Sequence, residues 1–236
     1  MIHCSVREIW DAVTSTQPPP GLGGAALLAL IAFAITWSPT GYRIVRHAVT
    51  IVHEAGHATV AVLTGRQLRG IKLHADTSGV TVSRGRPRGP GMVATVAAGY
   101  PAPALLGLAG ALVLERQYAV ALLCGFVLLC ALMLLQIRNF YGLWVLLAVG
   151  VAVGGATWVL PAEGASWVAY LLVWSLLLAA PRSVVELQRL RRRGAARSSD
   201  ADQLAHLTGL PAVAWIVLFW AVCVAALVVG ALLLLR

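Results

Sequence analysis

The chain has 236 residues, of which 59% are hydrophobic and 11% are charged, and its mean hydropathy is +0.83. Soluble globular domains carry about a quarter charged residues, so this composition excludes an ordinary soluble domain and predicts a polytopic membrane protein. The net charge of +9 could indicate nucleic-acid binding, but the basic residues form no face with interleaved aromatic residues. We therefore predict no nucleic-acid partner.

Apolar runs recur along the chain, and several approach the roughly 20 residues that are needed to span a bilayer. Residues 1–21 precede them as a polar N-terminal segment that ends in a proline run. We predict an all-α polytopic membrane fold with about seven transmembrane helices, which form one membrane-embedded domain at 22–236. The predicted spans are about 22–38, 45–64, 91–113, 119–135, 140–160, 165–180 and 212–235.

The second predicted span contains an HExxH motif, His53-Glu54-Ala55-Gly56-His57. Residues four apart lie on one face of a helix, so both imidazoles can bind one tetrahedral zinc ion. Glu54 lies beside them and can transfer protons during hydrolysis. We predict His53 and His57 as Zn²⁺ ligands and Glu54 as the catalytic acid and base. The alternative is a pair of structural histidines that bond to neighbouring helices.

Residues 66–88 show a different pattern. Apolar and polar residues alternate over 70–74 and 79–83, and a turn-like stretch at 75–78 separates them, which predicts a small β-hairpin. Such a hairpin could hold an extended substrate by strand addition, or it could be a basic element that contacts lipid head groups. His74 and Asp76 are possible metal ligands, although turn chemistry also explains Asp76.

Two prolines and a glycine interrupt the third predicted span at 98–103. Broken backbone at membrane depth is tolerated where it lines a cavity or packs against neighbouring elements, so we expect this break close to the HExxH helix. Asn139 begins the fifth predicted span. It could cap that helix or donate a hydrogen bond to a developing oxyanion.

The sizeable polar segment at 181–211 follows the sixth predicted span, and we predict a basic cytoplasmic loop here. Its run Arg191-Arg192-Arg193 is interpreted as an anchor to the inner leaflet. Ser199 is placed to cap a helix that has Asp202 in its first turn. A zinc enzyme needs a third protein ligand, which can be an acidic oxygen from the same side of the membrane. The candidates are Asp11, Asp76, Asp200, Asp202, Glu8 and Glu186.

Basic residues sort by side of the membrane if the chain crosses seven times. Most of them fall in the N-terminal segment and in the segments 65–90, 136–139 and 181–211, whereas the other side has Arg43, Arg46, Arg116 and Arg236. By the positive-inside rule we predict a multi-pass protein of the cell membrane with its N-terminus in the cytoplasm and its C-terminus outside. Attraction to anionic lipids of the inner leaflet then explains the basic composition.

Several short motifs together resemble the site-2 protease family of intramembrane zinc metallopeptidases, and more closely a compact bacterial branch of it. They are HEAGHATVAVLTG at 53–65, SGVT at 78–81, AGY at 98–100 and SDA at 199–201. The resemblance covers about residues 45–235. It implies that His53 and His57 bind zinc, that Glu54 is the catalytic acid and base, and that Asp200 is the third ligand. Better-known members supply this ligand from an Asp-Gly dipeptide, which the chain lacks, so Asp202 stays an alternative.

The leading functional hypothesis is a zinc metalloprotease that hydrolyses peptide bonds in or near transmembrane segments of other membrane proteins, close to the cytoplasmic face. The competing hypothesis is a non-proteolytic metal-binding membrane protein that binds or sequesters membrane partners. A metal transporter is the weakest reading, because ionisable residues are nearly absent from the other predicted spans. The sequence leaves the substrate and the oligomeric state open.

Overall fold

The structure, a computed structural model, describes residues 6–193 and 199–236. These residues are mostly helical and include one two-stranded antiparallel sheet. In chain order the elements are α1 (Val6–Thr14), α2 (Gly21–Trp37), α3 (Pro39–Leu63), β1 (Gln67–Leu73), β2 (Gly79–Arg84), α4 (Pro90–Ala97), α5 (Pro101–Glu115), α6 (Ala119–Leu134), α7 (Phe140–Val159), α8 (Ala162–Arg192), α9 (Asp200–Thr208) and α10 (Ala212–Leu234).

The helices support a multi-pass membrane protein, but the predicted number of spans is not confirmed. By length and hydropathy, α7, α8 and α10 could each cross a bilayer among the described residues. Two bent pairs, α2 with α3 and α4 with α5, raise the number of candidate spans to 5. Helix α6 is apolar but shorter than a typical span. The helical membrane fold is thus confirmed, whereas the count of seven is not.

Helices α5, α8 and α10 pack closely at the centre of the bundle. A Cβ atom at Gly107 of α5 would lie 2.9 Å from Leu177 of α8, and one at Gly230 of α10 would lie 2.6 Å from the same leucine. Small residues let membrane helices approach in this way, and van der Waals packing then holds them together. The largest cluster of buried apolar side chains lies around these three helices and α2.

A sharp bend separates α2 from α3. The two helices meet at 99°, with Ser38 as the N-cap of α3 and Pro39 in its first turn. The Ser38 hydroxyl accepts a hydrogen bond from Gly41 N at 3.0 Å. Arg182 of α8 stacks over the rings of Trp37 and Tyr42, one on each side of the bend. These contacts fix the angle at which α3 leaves α2.

Helix α3 lies across the bundle near the end that carries the hairpin. Near its start, Arg46 pairs with Glu186 late in α8, and just after its end Arg66 bonds to Ser83 of β2. Its buried side chains share clusters with Ala179 of α8 and Met133 of α6. We call the end of the bundle that carries β1 and β2 the hairpin end. By length and hydropathy, α3 counts toward a candidate span only together with α2.

The terminal segments meet at the opposite end, beside the connection between α5 and α6. Gln17 N donates to Gln117 O at 2.8 Å, and Gln17 Oε1 accepts from Val120 N at 2.9 Å. Arg236 lies 3.8 Å from Glu115. The described N-terminal segment and the C-terminus therefore lie at the same end of the bundle, and the sides of the membrane that they face stay a prediction.

The predicted β-hairpin is confirmed, with β1 paired antiparallel to β2 and Ile71 opposite Thr81. Its β1 edge is also occupied, because Ile71 N donates to Gln136 O and Arg138 N donates to Ile71 O, both at 2.8 Å. Gly70, with φ of +147°, allows this approach, since a Cβ there would lie 2.4 Å from the Arg138 side chain. Among the described residues, none pairs with the outer edge of β2.

Two further expectations have different outcomes. The third predicted span is broken as expected, into α4 and α5 at an angle of 67°. The predicted loop at 181–211 is instead largely helical, because α8 continues through Pro181 to Arg192 and α9 follows it. The apolar stripe of α8 explains this continuation. Leu177, Ala180, Val184 and Leu187 recur at helical spacing and are all buried in the main cluster.

Candidate metal centre

Three side chains converge beneath the hairpin. His53 Nε2 and His57 Nε2 lie 3.0 Å apart, and Asp200 Oδ2 lies 3.3 Å from each of them. The two histidines come from successive turns of α3, whereas the aspartate comes from the first residue of α9. We call these residues the His–His–Asp cluster. The geometry brings both histidines together with the favoured third candidate from the sequence.

The His–His–Asp cluster fits a tetrahedral metal ion. Zinc binds imidazole nitrogen and carboxylate oxygen at about 2.0–2.2 Å, which places neighbouring ligand atoms of a tetrahedral site about 3.3–3.6 Å apart. The two separations of 3.3 Å lie at the lower limit of this range, and the His53–His57 separation of 3.0 Å is slightly shorter. Asp200 Oδ2 is also buried without a hydrogen-bond donor among the described residues. A carboxylate oxygen in this state is costly unless a cation satisfies it. The cluster could therefore hold a metal ion.

A backbone carbonyl orients one of the imidazoles. His57 Nδ1 lies 2.8 Å from the carbonyl oxygen of Thr95 in α4 and can donate to it. This bond leaves Nε2 with a free lone pair that faces the cluster. The Thr95 hydroxyl donates to Gly91 O, so the carbonyl belongs to an ordered turn of α4. Helix α4 thus fixes both the tautomer and the direction of His57.

The break between α4 and α5 lies directly against the histidines. A Cβ atom at Gly99 would lie 2.4 Å from His57 Nε2 and 2.6 Å from His53 Cε1, so only glycine leaves the rings in place. The next residue, Tyr100, meets the His53 ring edge-on at 5.0 Å and stacks on Phe219 of α10 at 5.1 Å. The expected proximity of the broken span to the HExxH helix is confirmed.

Glu54 lies beside the cluster and is only 2% exposed. Its Oε2 accepts a hydrogen bond of 2.6 Å from the Thr81 hydroxyl of β2. Gly79 of β2 lies against the other oxygen, because a Cβ at this position would be 2.5 Å from Glu54 Oε1. The carboxylate therefore lies between α3 and the inward face of β2. A buried carboxylate beside the His–His–Asp cluster is suited to proton transfer.

A cavity of about 510 Å³ gives access to these groups. It is bounded by α3, β2, α4 and the ends of α8 and α9. Its walls include His53, Glu54, His57, Thr81, Glu186 and Asp200. The cavity is large enough to admit several residues of a peptide beside the carboxylate and the cluster.

The alternative ligand Asp202 points elsewhere. It pairs with Arg191 near the end of α8 and accepts from the Ser199 hydroxyl at 2.6 Å. Burial alone would raise the pKa of Asp202, but the hydrogen bonds from Arg191 and Ser199 lower it below its usual value. Ser199 also caps α9, as the sequence predicted. The geometry thus separates two neighbouring aspartates, one in the cluster and one between α8 and α9.

Helix α9 is held in place by its apolar face as well. Ala201 and Leu204 are fully buried in the largest cluster of apolar side chains of the bundle. Because Ala201 directly follows Asp200, burial of this face sets the direction in which the aspartate projects. Packing and the Arg191–Asp202 pair therefore act together to place Asp200.

The other acidic candidates are engaged or distant. Asp76 accepts from Ser78 N at 3.0 Å and from Ser78 Oγ at 2.6 Å, and these hydrogen bonds lower its pKa. Glu186 pairs with Arg46. Asp11 lies exposed in α1 at the opposite end of the bundle, and the side chain of Glu8 lies outside the described residues. His74 contacts Ser78 within the hairpin turn and does not join the cluster.

Asn139 fills neither of the roles that we considered from sequence. It is the N-cap residue of α7, but its side chain makes no capping hydrogen bond. Instead Nδ2 donates to Leu73 O at 2.6 Å, and Oδ1 accepts from Leu73 N at 3.2 Å. Asn139 therefore holds the end of β1.

Sequence reasoning missed two residues that contact the site. Thr81 lies in the SGVT motif, but the motif alone does not indicate that its hydroxyl reaches Glu54. The contribution of Thr95 comes from its backbone carbonyl, which every residue type possesses. No residue pattern could have revealed the second contact, whereas the inward alternation of β2 could have suggested the first.

Comparison with known families agrees with this geometry. A family model described as peptidase M50B-like matches residues 26–230, which is most of the chain. The matched range contains the His–His–Asp cluster, Glu54 and the hairpin. Searches of curated proteins and of solved structures found no match.

Proposed function

Because the chain belongs to the peptidase M50B-like family, a site-2 protease family, we propose that it is an intramembrane zinc metalloprotease. The observation that carries this proposal is the convergence of His53, His57 and Asp200 on one point, with a buried glutamate alongside. In this proposal the cluster holds Zn²⁺ and Glu54 is the catalytic acid and base. The substrates are membrane proteins, cut in or near their transmembrane segments.

The chemistry assigned to the chain is proton transfer at Glu54. Bound zinc supplies a Lewis acid that polarises the scissile carbonyl. As a water molecule adds to the carbonyl carbon, Glu54 accepts its proton. The carboxyl group then returns this proton to the amide nitrogen while the carbon–nitrogen bond breaks, which releases an amine and a carboxylic acid. Glu54 is only 2% exposed, so the protein encloses most of the side chain that carries this proton.

Strand addition at β2 is the proposed mode of substrate binding. Carbonyl groups in a helix are hydrogen-bonded, so a transmembrane substrate has to unwind before hydrolysis. The outer edge of β2 can hold such a segment, because 136–138 already occupy the β1 edge of the hairpin. Gly79, Thr81 and Ser83 of β2 also line the cavity, which supports substrate binding over a purely lipid-facing hairpin.

We further propose that the hairpin end faces the cytoplasm. Most basic residues belong to elements at this end, now including Arg43 and Arg46 of α3, whereas the opposite end has Arg7, Arg116 and Arg236. The positive-inside rule then places the site at the cytoplasmic face, and both terminal segments outside. The exposed Arg84, Arg86 and Arg88 are suited to contact anionic lipids of the inner leaflet.

The proposed function is tested by comparing membrane proteomes and metal content. A deletion strain and a strain that carries Glu54→Gln should both accumulate an uncut membrane protein that wild type cleaves. Purified wild type and Glu54→Gln should contain one zinc ion per chain, and Asp200→Ala should lose it. Zinc binding without any Glu54-dependent cleavage would instead support the non-proteolytic alternative.

A further inference from the structure

The strand that is proposed to hold the substrate also touches the catalytic carboxylate. Thr81 and Gly79 are two apart on β2, so both face inward, and they contact opposite oxygens of Glu54. We propose that Thr81 is a positioning residue, whose hydroxyl sets the orientation of the Glu54 carboxylate for proton transfer. This inference rests on the proposed function.

The hydrogen-bond geometry favours one carboxylate oxygen as the reactive one. The Thr81 hydroxyl lies 2.6 Å from Glu54 Oε2 and 3.2 Å from the Glu54 carbonyl oxygen. A hydroxyl donates only one hydrogen, and the shorter contact indicates donation to the carboxylate. With one lone pair of Oε2 engaged by the hydroxyl, Oε1 is the less occupied oxygen, and we assign it as the one that accepts a proton from water.

Gly79 limits the carboxylate from the other side. A Cβ atom at this position would lie within 2.7 Å of Oε1, Cγ and Cδ of Glu54, so the strand has no room for a side chain here. The carboxylate is thus enclosed by a hydrogen bond at Oε2 and by bare backbone at Oε1. Among the described residues, Thr81 provides the side-chain hydroxyl that holds it there.

This role separates catalysis from substrate binding. Strand addition uses the backbone of β2, which does not depend on whether residue 81 is threonine or valine. Valine has nearly the shape of threonine but lacks the hydroxyl, so Thr81→Val should leave the strand edge intact. The substitution should therefore lower the rate of the chemical step and leave substrate affinity unchanged.

The experiment uses the purified full chain and, as the probe, the transmembrane segment whose uncut form accumulates in the Glu54→Gln strain, labelled with a fluorophore. We expect Thr81→Val to lower kcat about 10- to 100-fold, with KM within about twofold and full zinc content. Thr81→Ser keeps the hydroxyl and should restore most of kcat. In a Glu54→Gln background, Thr81→Val should not change the dissociation constant of the probe.

A matched control is Thr157→Val in α7, because this hydroxyl donates only to its own helix at Val153 O. It should leave kcat unchanged. An unchanged kcat for Thr81→Val, or a Thr81→Ser protein as slow as Thr81→Val, would overturn the inference. If Thr81→Val does not insert into the membrane, Thr81→Ala against Thr81→Ser decides the same question. A wild-type protein that cannot cut the probe would instead contradict the proposed function itself.

Discussion

Glycines bring chain segments together in two regions of this molecule, at the centre of the bundle and at the metal centre. In the bundle, the two atoms nearest to a methyl group at Gly107 would belong to the Leu177 side chain, which can adjust. At the metal centre, a methyl group at Gly99 would meet His57 Nε2, a candidate ligand atom. Close packing therefore determines stability in the first region and chemistry in the second.

Among the changes considered, removal of the metal should have the largest effect on the stability of the region around the metal centre. A ligand that binds only the folded state at 1,000 times its dissociation constant stabilises that state by about 4 kcal/mol. We expect a chelator to lower the unfolding temperature of the detergent-solubilised protein, with the loss centred on α3 and α9. Asp200→Ala should show the lower temperature already and should not respond to the chelator. Equal responses of the two proteins would contradict a metal at this cluster.

Gly99→Ala should separate the two regions most directly. The methyl group would displace the His57 ring, and a displacement of about 1 Å at a reacting centre can cost about 100-fold in rate. We expect loss of zinc and of proteolysis with little change in membrane insertion. The counterpart Gly107→Ala should reduce stability by about 1–3 kcal/mol through overpacking yet retain its zinc. Measuring the zinc content and the unfolding temperature of both variants distinguishes the loss of the metal from the loss of stability.

Arg191→Met tests the contact between α8 and α9, which joins the bundle to the metal centre. The substitution removes the partner of Asp202 and frees the start of α9, so zinc affinity should fall about 10-fold. Competition with a coloured chelator measures this affinity. The exposed neighbour Arg192, changed to Met, is the matched control and should bind zinc as wild type does. Equal affinities for the two variants would mean that packing of α9 alone places Asp200.

Asn139→Ala should have the smallest effect. It removes the two hydrogen bonds to Leu73 and should reduce stability by about 1 kcal/mol. Because the side chain lies at the end of β1, turnover should stay within about twofold of wild type. A rate about 100-fold lower with normal stability would restore the oxyanion role that the structure does not support.

The predictable parts of the molecule are those that depend on local spacing. Histidines four apart on a helix must share a face, and the alternation at 70–74 and 79–83 is typical of a strand pair with one buried side. These patterns gave the HExxH geometry and the hairpin correctly. The break at 98–103 was also recoverable, because proline and glycine disrupt a helix irrespective of tertiary structure.

The parts that could not be predicted depend on distant contacts. The direction of α3 is fixed by contacts with Arg182 and Glu186, which lie far along the chain, so local sequence could not show that α3 bends sharply away from α2. Likewise, the choice between Asp200 and Asp202 depends on which face of α9 is buried. Local sequence shows that both are acidic and near a helix start, but not which one reaches the histidines.

The orientation of α3 has a consequence for hydration. A proteolytic site enclosed in the middle of a lipid-facing bundle would need a dedicated channel to supply its second reactant. Here the helix that bears the histidines runs across one end of the bundle, so solvent can enter beside the hairpin and the shorter product can leave by the same opening. We expect cleavage positions to cluster within a few residues of the membrane surface, where an unwound segment reaches this opening without leaving the bilayer entirely.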